Sequence, residues 1–349
     1  MSQIDDLLSR FKEVAQEKPV SMPSVKFNSY AISNFRGGIG KSTLAFNLAW
    51  EMSRKHNLLA LDVCPQTNFT QSLLGSECAT PYTIYDALLP QVMPGTKNVK
   101  VSDLLTSVPP YCSPFKGGKD IFVVPGSNEL FLFPSLLYTQ LSTAANLQGN
   151  RSKEATKSIL TAIQSIIEYV STDFSFDKTL IDTSPFFGGA THLAWLAADA
   201  LIIPARVDEH SMQALRLTLS MLRDEAKDFL RLNKQGDLTK IPKVHAIVMT
   251  HCGWSRQTGF TPDRSTQAYL KQALSIANEY TDLLSSSDPL ECIHLLDDFH
   301  SAGRISGTKR IPLAELNVGE QHTIEGQKLE VNPSLNRYTV ELRSLASAL

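Results

Sequence analysis

Apolar runs of strand length alternate with amphipathic segments of helix length along most of the chain. The runs that predict buried strands are LLALDV, DIFVVPG, KTLIDTSP, ALIIPA and KVHAIVMT. Apolar residues recur at helical spacing in the segments 41–55, 152–170, 209–226 and 265–280. Short hydrophobic strands separated by helices are typical of a parallel sheet covered on both faces. The pattern predicts an α/β fold with a doubly wound, mostly parallel sheet flanked by helices.

The first 24 residues differ from this pattern. Apolar residues at helical spacing between Ile4 and Val14 predict a short amphipathic helix, and Pro19 ends it. We expect residues 1–24 to form a helical extension and linker, which either docks on the core or recruits a partner protein.

Residues 25–349 are expected to form one large domain that begins with a strand over 25–34. Weak periodicity and several prolines predict an insertion of short helices and loops at about 75–119. Apolar residues at helical spacing predict a closing helix over about 336–349, which we expect to dock on the core rather than on a membrane.

Composition narrows the class of protein. Of the 349 residues, 42% are hydrophobic and 19% are charged, which is typical of a globular chain. The net charge of -2 gives no overall attraction to nucleic acid, so only a local basic patch would bind it. The five cysteines are scattered and never spaced as CxxC, which argues against a disulfide scaffold or a zinc site. We expect a cytoplasmic protein with no membrane contact.

A glycine-rich loop lies between the first predicted strand and the first predicted helix of the domain. Its glycines let successive backbone N–H groups point into one concavity, and the helix that follows adds the positive end of its dipole. Lys41 is expected to reach the β and γ phosphates and the Ser42 hydroxyl to ligate Mg²⁺. The residues expected to hold the nucleotide are Arg36, Gly37, Gly38, Ile39, Gly40, Lys41, Ser42 and Thr43.

The loop is not the ordinary GxxxxGK[ST] pattern, because Phe35 stands where its first glycine would be. It is close to the deviant form KGGxGK[ST], with Arg36 replacing the first lysine. Together with DVCPQ at 62–66 and the segment 176–215, the loop resembles the ParA/MinD family of deviant P-loop ATPases, and its ParA branch most. The resemblance covers about residues 28–300 and implies Mg²⁺ and ATP as cofactors.

Two aspartates end apolar strands on the predicted sheet edge. Asp182 at the end of its strand is placed to hold a magnesium-bound water, and Asp62 is expected to do the same from the neighbouring strand. The predicted metal site is therefore Ser42, Asp62 and Asp182.

Two residues depart from the family pattern. The family's first loop lysine reaches the nucleotide of the opposite subunit, which implies this task for Arg36. The family's water-positioning second aspartate of D-x-D-P-Q is Cys64 here. A thiol with a reference pKa of about 8.5 is mostly neutral and accepts hydrogen bonds weakly, so hydrolysis should be slow unless Gln66 or Asp208 substitutes. The predicted catalytic residues are Arg36, Lys41, Asp62 and Cys64.

The resemblance implies a molecular switch that forms a homodimer on ATP binding and acts in DNA partition or cargo positioning. It also implies nonspecific DNA contacts and a partner protein that stimulates hydrolysis. Cationic candidates for DNA are Lys240, Lys243, Arg256, Arg304, Lys309 and Arg310, although each is equally readable as ordinary solvated charge. Thr250, His251 and Cys252 follow a late strand and are expected to border the base.

Two alternatives stay open. The neutral thiol at Cys64 suits a regulatory subunit that binds ATP without hydrolysing it. The same scaffold also serves metabolic or metal-cofactor assembly ATPases, for which bound iron or nickel in the purified protein would be the sign.

Overall fold

The computed structural model describes residues 3–76, 78, 80–93, 95–254 and 261–349. Within these residues one eight-stranded sheet has the order β3-β4-β2-β5-β1-β6-β7-β8, and only the pair β3 and β4 is antiparallel. Its strands are β1 Ser29–Ile32, β2 Leu58–Asp62, β3 Thr106–Ser107, β4 Ile121–Val124, β5 Lys178–Asp182, β6 Ala200–Arg206, β7 Lys243–Cys252 and β8 Ile293–Asp297. A separate hairpin consists of β9 Gln321–Ile324 and β10 Gln327–Glu330. The predicted α/β fold with a mostly parallel sheet is confirmed.

Helices cover both faces of the sheet. In the first half they are α1 Gln3–Ala15, α2 Lys41–Ser53, α3 Asn68–Leu74, α4 Ile84–Val92, α5 Val101–Leu104, α6 Phe133–Ala145 and α7 Asn150–Leu160. In the second half they are α8 Ala162–Val170, α9 Ala190–Ala197, α10 Glu209–Arg223, α11 Asp228–Gln235, α12 Arg264–Glu279, α13 His300–Lys309 and α14 Leu335–Ala348. No helix of the described part is long and apolar enough to cross a bilayer.

Alternate residues of each central strand feed two separate hydrophobic cores. In β2, Leu59 and Leu61 belong to the core that contains α4 and α8–α12, whereas Leu58 and Ala60 belong to the core that contains α2 and α14. This follows from the two-residue period of a strand, whose successive side chains point to opposite faces. Both faces are buried, which explains why the strands read as continuous apolar runs.

The N-terminal helix α1 packs on this domain. Leu7 is fully buried and Phe11 is 4% exposed, and both belong to the first core. Burial of two such side chains contributes about 1.5 to 3 kcal/mol each. The Arg10 guanidinium donates to the main-chain oxygen of Ile293 at 2.8 Å, at the start of the edge strand β8. The extension is therefore docked on the core, while the boundary at residue 24 stays a prediction.

Several elements differ from those expected. The predicted strand over 25–34 is only Ser29–Ile32. The predicted helix over 152–170 is two helices separated at Thr161, whose hydroxyl donates to the Lys157 carbonyl; such back-bonding often bends helices. The segment 75–119 also contains β3, which extends the main sheet. Closing helix α14 lies where the sequence predicts it.

Candidate functional site

The glycine loop connects β1 to α2 at the centre of the sheet. Gly38 and Gly40 have positive φ angles of 71° and 84°, which only glycine adopts without strain. Gly40 is the N-cap of α2, so the helix begins at Lys41 with its first N–H groups directed toward the loop. The loop backbone therefore has the concave shape that the glycines in the sequence predict.

Lys41 is buried beneath this loop. Its Nζ donates to the main-chain oxygens of Asn34 at 3.2 Å and Arg36 at 2.9 Å. Burial lowers the pKa of Lys41, while the nearby Asp182 carboxylate acts in the opposite direction. The ammonium group is therefore held against the loop backbone.

Asp182 lies beside the start of α2. It is fully buried, and its Oδ2 accepts a hydrogen bond of 2.6 Å from the Ser42 hydroxyl. Its other oxygen, Oδ1, is buried without a hydrogen-bond partner among the described residues. Burial, followed by the charge of Asp62, raises the pKa of Asp182 to about 7. A carboxylate with an unpartnered oxygen beside a hydroxyl suits the hard oxygen-ligand chemistry of Mg²⁺.

Asp62 occupies the matching position on the next strand, in register with Asp182, but its oxygens are used differently. Its Oδ1 accepts from the Cys64 amide at 3.0 Å, and its Oδ2 accepts from the Thr70 amide and hydroxyl, both at 2.8 Å. Burial raises the pKa of Asp62 to about 6. Asp62 therefore anchors the start of α3 as well as bordering the site.

Thr70 and Gly126 complete this anchor, and sequence analysis missed both. The Gly126 amide donates to the Thr70 hydroxyl at 2.8 Å, and a Cβ at Gly126 would lie 2.9 Å from the Asp62 Cγ. Glycine is thus required where β4 ends against Asp62. No local sequence pattern predicts Thr70 or Gly126 as part of the site, because Asp62, Thr70 and Gly126 come from separate segments of the chain.

Two cavities share the glycine loop. The larger loop cavity has a volume of about 560 Å³ and is lined by Lys41, Ser42, Cys64, Gln66 and residues of α3 and α13. The smaller loop cavity, of about 240 Å³, is bordered by the loop, the end of β7, the end of β8 and α13. Both include Gly38, Gly40 and Thr43. A cleft at the carboxyl ends of parallel strands is where open α/β sheets bind ligands.

Comparisons with known proteins agree with this arrangement. A family model described as an AAA domain matches residues 28–234, which is more than half of the chain. The sporulation initiation inhibitor protein Soj of Bacillus subtilis is 24% identical over 194 residues, covering 55% of this chain and 64% of Soj. The chain belongs to the ParA/MinD family of P-loop ATPases.

Solved structures share the fold of this ParA/MinD family member. Apo McdA from Cyanothece has a TM-score of 0.61 at 18% identity, covering 92% of this chain and all of McdA. A Borrelia burgdorferi protein named as a plasmid partition protein, bound to AMPPNP, has a TM-score of 0.52 at 14% identity, over 93% of this chain. Among sequence relatives, a Rhizobium rhizogenes protein named replication protein A is 28% identical over 201 residues, but the chain spans only 45% of its length.

Arg36, the cation expected to act across a dimer, is engaged within its own chain. Its guanidinium pairs with the Asp208 carboxylate and donates to the Ser211 hydroxyl at 2.8 Å. Burial raises the pKa of Asp208, but hydrogen bonds from the Ser211 amide and Arg36 outweigh this and leave it lowered. Asp208 also caps α10 by accepting from the Ser211 amide. The structure thus commits Asp208 to Arg36 rather than to the phosphate side of the site.

Cys64 lines the larger loop cavity but is only 3% exposed. Burial, followed by the charge of Asp182, raises the pKa of its thiol to about 12. The thiol is therefore neutral near pH 7 and a poor acceptor for a water proton. Gln66 lines the same cavity, whereas Asp208 pairs with Arg36.

The residues expected near the base divide between the cavity and the core. Thr250 and His251 line the smaller loop cavity, and His251 has a left-handed φ of 58°. Cys252 is buried, and its thiol donates to the Met249 carbonyl instead. Arg304, which the sequence suggests only as a DNA-contacting cation, lines the same cavity from α13.

The predicted DNA-contacting cations do not form one surface. Lys240 pairs with Asp199 at 3.0 Å and Lys243 donates to the Asp282 carbonyl, near the amino end of β7. Arg304 and Lys309 lie on α13, and Arg310 directly follows it, at the opposite end of the sheet. Arg310 donates to main-chain oxygens at the end of α3 and lines the larger loop cavity. Arg256 lies outside the described residues.

Proposed function

We propose that the chain is an ATP-dependent molecular switch that binds Mg²⁺-ATP, dimerises on it and acts in DNA partition or cargo positioning. The observation that carries the proposal is the pairing of Ser42 with Asp182 beside the glycine loop, with one Asp182 oxygen left unpartnered. Lys41 and the loop amides provide the positive surroundings that a triphosphate needs.

Ser42 and Asp182 are the residues that would hold Mg²⁺. The metal supplies charge neutralisation for the β and γ phosphates when it is bound. Asp62 borders the pair but already accepts three hydrogen bonds, so its contribution is to fix α3 and the strand end. Asp182 is the carboxylate available to the metal and its water shell.

Arg36 is proposed to exchange partners during the cycle. In the single chain it pairs with Asp208; in a symmetric dimer it would release Asp208 and contact the nucleotide of the second copy. Arginine suits this task because its planar fork contacts two phosphate oxygens at once. Formation of the dimer would then depend on nucleotide bound in both subunits.

Slow hydrolysis is proposed because the buried Cys64 thiol stands where a water-positioning carboxylate is expected. The same observation supports the second candidate function, a regulatory subunit that binds ATP without turnover. A steady-state ATPase assay on the natural chain and on Cys64→Asp, with and without DNA, separates the two. Measurable turnover by the natural chain removes the second candidate.

Nonspecific DNA binding and a partner protein that stimulates hydrolysis are proposed from the family alone. The family's partition members, and the name of the Borrelia protein as a plasmid partition protein, support a role in segregation. Because the cations selected from the sequence lie at two ends of the sheet, we expect DNA to contact only one of these groups within a subunit. Iron or nickel in the purified protein would instead favour the cofactor-assembly alternative.

The test of the switch is molar mass by light scattering with ADP, ATP and a non-hydrolysable analogue, each with Mg²⁺. We expect a dimer with ATP or the analogue and a monomer with ADP. Lys41→Ala should abolish the change, whereas the control Lys55→Ala, an exposed lysine just after α2, should retain it. A mass that stays constant in all three nucleotides contradicts the proposal.

A further inference from the structure

A third, much smaller cavity lies at the edge strand β8 of the sheet. It is enclosed by α1, the edge strand β8, helix α14 and Trp254, and its volume is about 10 Å³. Polar side chains of Arg10, Trp254, His294 and Glu341 line it. A space of this size accommodates one water molecule and no larger ligand.

Each of these four side chains has a buried polar atom without a hydrogen-bond partner in the described part of the chain. The atoms are Arg10 Nε, Trp254 Nε1, His294 Nε2 and Glu341 Oε1. Arg10, His294 and Glu341 are 9%, 6% and 4% exposed, so bulk water does not compensate them. Leaving one such buried group without a hydrogen bond costs about 1 to 3 kcal/mol. Four such groups together would cost a large share of the free energy of unfolding of a typical domain.

Other contacts prevent the side chains from turning toward one another. Arg10 donates through its terminal nitrogen to the Ile293 carbonyl, and Glu341 Oε2 accepts from the Asp297 amide at 2.8 Å. The Trp254 ring lies under the Arg337 guanidinium, 4.4 Å from the ring centre. Arg10, Trp254 and Glu341 are therefore held around one space by contacts made elsewhere.

Their chemistry matches a water molecule, which donates two hydrogen bonds and accepts two. Arg10 and Trp254 provide N–H donors, and Glu341 provides an oxygen. Burial lowers the pKa of His294, so its imidazole is neutral and presents one nitrogen as an acceptor. Buried waters in proteins make about three such bonds to groups that are otherwise unsatisfied.

We propose that this cavity is the binding site of one structural water molecule, which joins the N-terminal helix α1 to β8 and α14. The consequence reaches the nucleotide end of the molecule. Glu341 also holds the Asp297 amide, and Asp297 lines the smaller loop cavity. The water thus connects the N-terminal extension to a wall of that cavity, independently of whether the chain is a switch.

A crystal structure of the full chain at a resolution that shows ordered solvent tests the site directly. We expect one density peak of water size within about 2.7 to 3.2 Å of at least three of the four named atoms. Absence of a peak in well-ordered density, or a direct hydrogen bond between Glu341 Oε1 and Arg10 Nε, overturns the proposal.

The direction in which a cavity-filling substitution changes the melting temperature gives an independent test. Val14 lines this cavity and an outer cleft, whereas Val340 lines the outer cleft alone. Val14→Ile should displace the water and lower the melting temperature by about 2 °C or more relative to the matched control Val340→Ile. A Val14→Ile melting temperature equal to or above that of the control contradicts the proposal, because filling a dry cavity stabilises.

Discussion

The two loop cavities share Gly38, Gly40 and Thr43 and both reach α13, but the larger one is completed by α3 and the smaller one by the ends of β7 and β8. The larger cavity is built around one contiguous segment, in which Lys41 and Ser42 follow the glycines directly. The smaller cavity is assembled from the ends of β7 and β8 and from α13, which lie more than 200 residues farther along the chain. Local sequence therefore specifies the glycine-loop wall of the larger cavity, whereas tertiary packing specifies its remaining walls and most of the smaller cavity.

The largest expected effect falls on the contiguous cavity. Lys41→Ala removes the buried ammonium group and should weaken ATP binding by about 100-fold, since a hydrogen bond to a charged group contributes about 1.5 to 3 kcal/mol. Fluorescence titration with a labelled ATP analogue measures this. The control Lys55→Ala should bind within about twofold of the natural chain, and equal affinity of both variants would remove Lys41 from the site.

The two strand-end carboxylates predict how stability depends on pH without nucleotide. Their pKa values are raised from 3.8 to about 6 for Asp62 and about 7 for Asp182. At these two groups the folded state therefore binds more protons than the unfolded state above pH 4, so their contribution to stability falls as pH rises toward 7. The buried histidines act in the opposite direction, because burial lowers the pKa values of His192 and His294, so the contribution of the carboxylates is measured against a variant that lacks one of them.

Asp182→Asn sharpens this prediction, because it removes one acid and the repulsion between the pair. We expect the melting temperature of the natural chain, measured relative to that of this variant, to fall between pH 5 and 8. An identical pH dependence of the two proteins would show that Asp182 is ionised normally.

Much of the larger cavity can be predicted from the sequence, and the reason is physical. A glycine loop, the residues that follow it and an acid at a strand end are local features that fix backbone shape and charge. The structure places Asp62 and Asp182 in register on adjacent strands, as parallel pairing requires. The hydrogen bonds that Thr70 donates to Asp62 were not predictable, because they depend on how α3 is oriented relative to the end of β2.

Contacts between distant segments were missed for the same reason. Arg36 and Asp208 are 172 positions apart, and no periodic pattern connects them. Strand β8 was also missed, because it has only five residues and two of them, His294 and Asp297, are polar and interrupt the apolar run. Arg10 reads as a polar-face residue of an amphipathic helix, yet it is buried against the edge strand by contacts made 283 positions away.

A smaller effect is expected in the second cavity. If the base lies there, His251→Asn should weaken ATP binding by about threefold to tenfold and leave the binding of inorganic triphosphate unchanged. Asparagine tolerates the left-handed backbone that His251 adopts, so the fold should persist. Competition titrations with ATP and triphosphate measure the difference. Equal weakening of both ligands would place the base elsewhere.

The smallest expected effect concerns the Arg36 pair. Asp208→Asn keeps an acceptor for the cap of α10 but removes the charge that holds Arg36. Since the pair is partly exposed, its loss should favour the dimer by only about twofold to fivefold at limiting ATP. Sedimentation velocity across an ATP series measures the shift. A dimer that forms less readily in Asp208→Asn would contradict the exchange of partners by Arg36.

The central claim is that Ser42 and Asp182 hold magnesium for a triphosphate at the glycine loop. Isothermal titration calorimetry with ATP, with and without Mg²⁺, on the natural chain and on Asp182→Asn tests it most directly. We predict that Mg²⁺ strengthens ATP binding to the natural chain by at least tenfold, about 1.4 kcal/mol, and that Asp182→Asn loses most of this gain. Magnesium dependence that is unchanged in Asp182→Asn, or absent from the natural chain, would contradict the account.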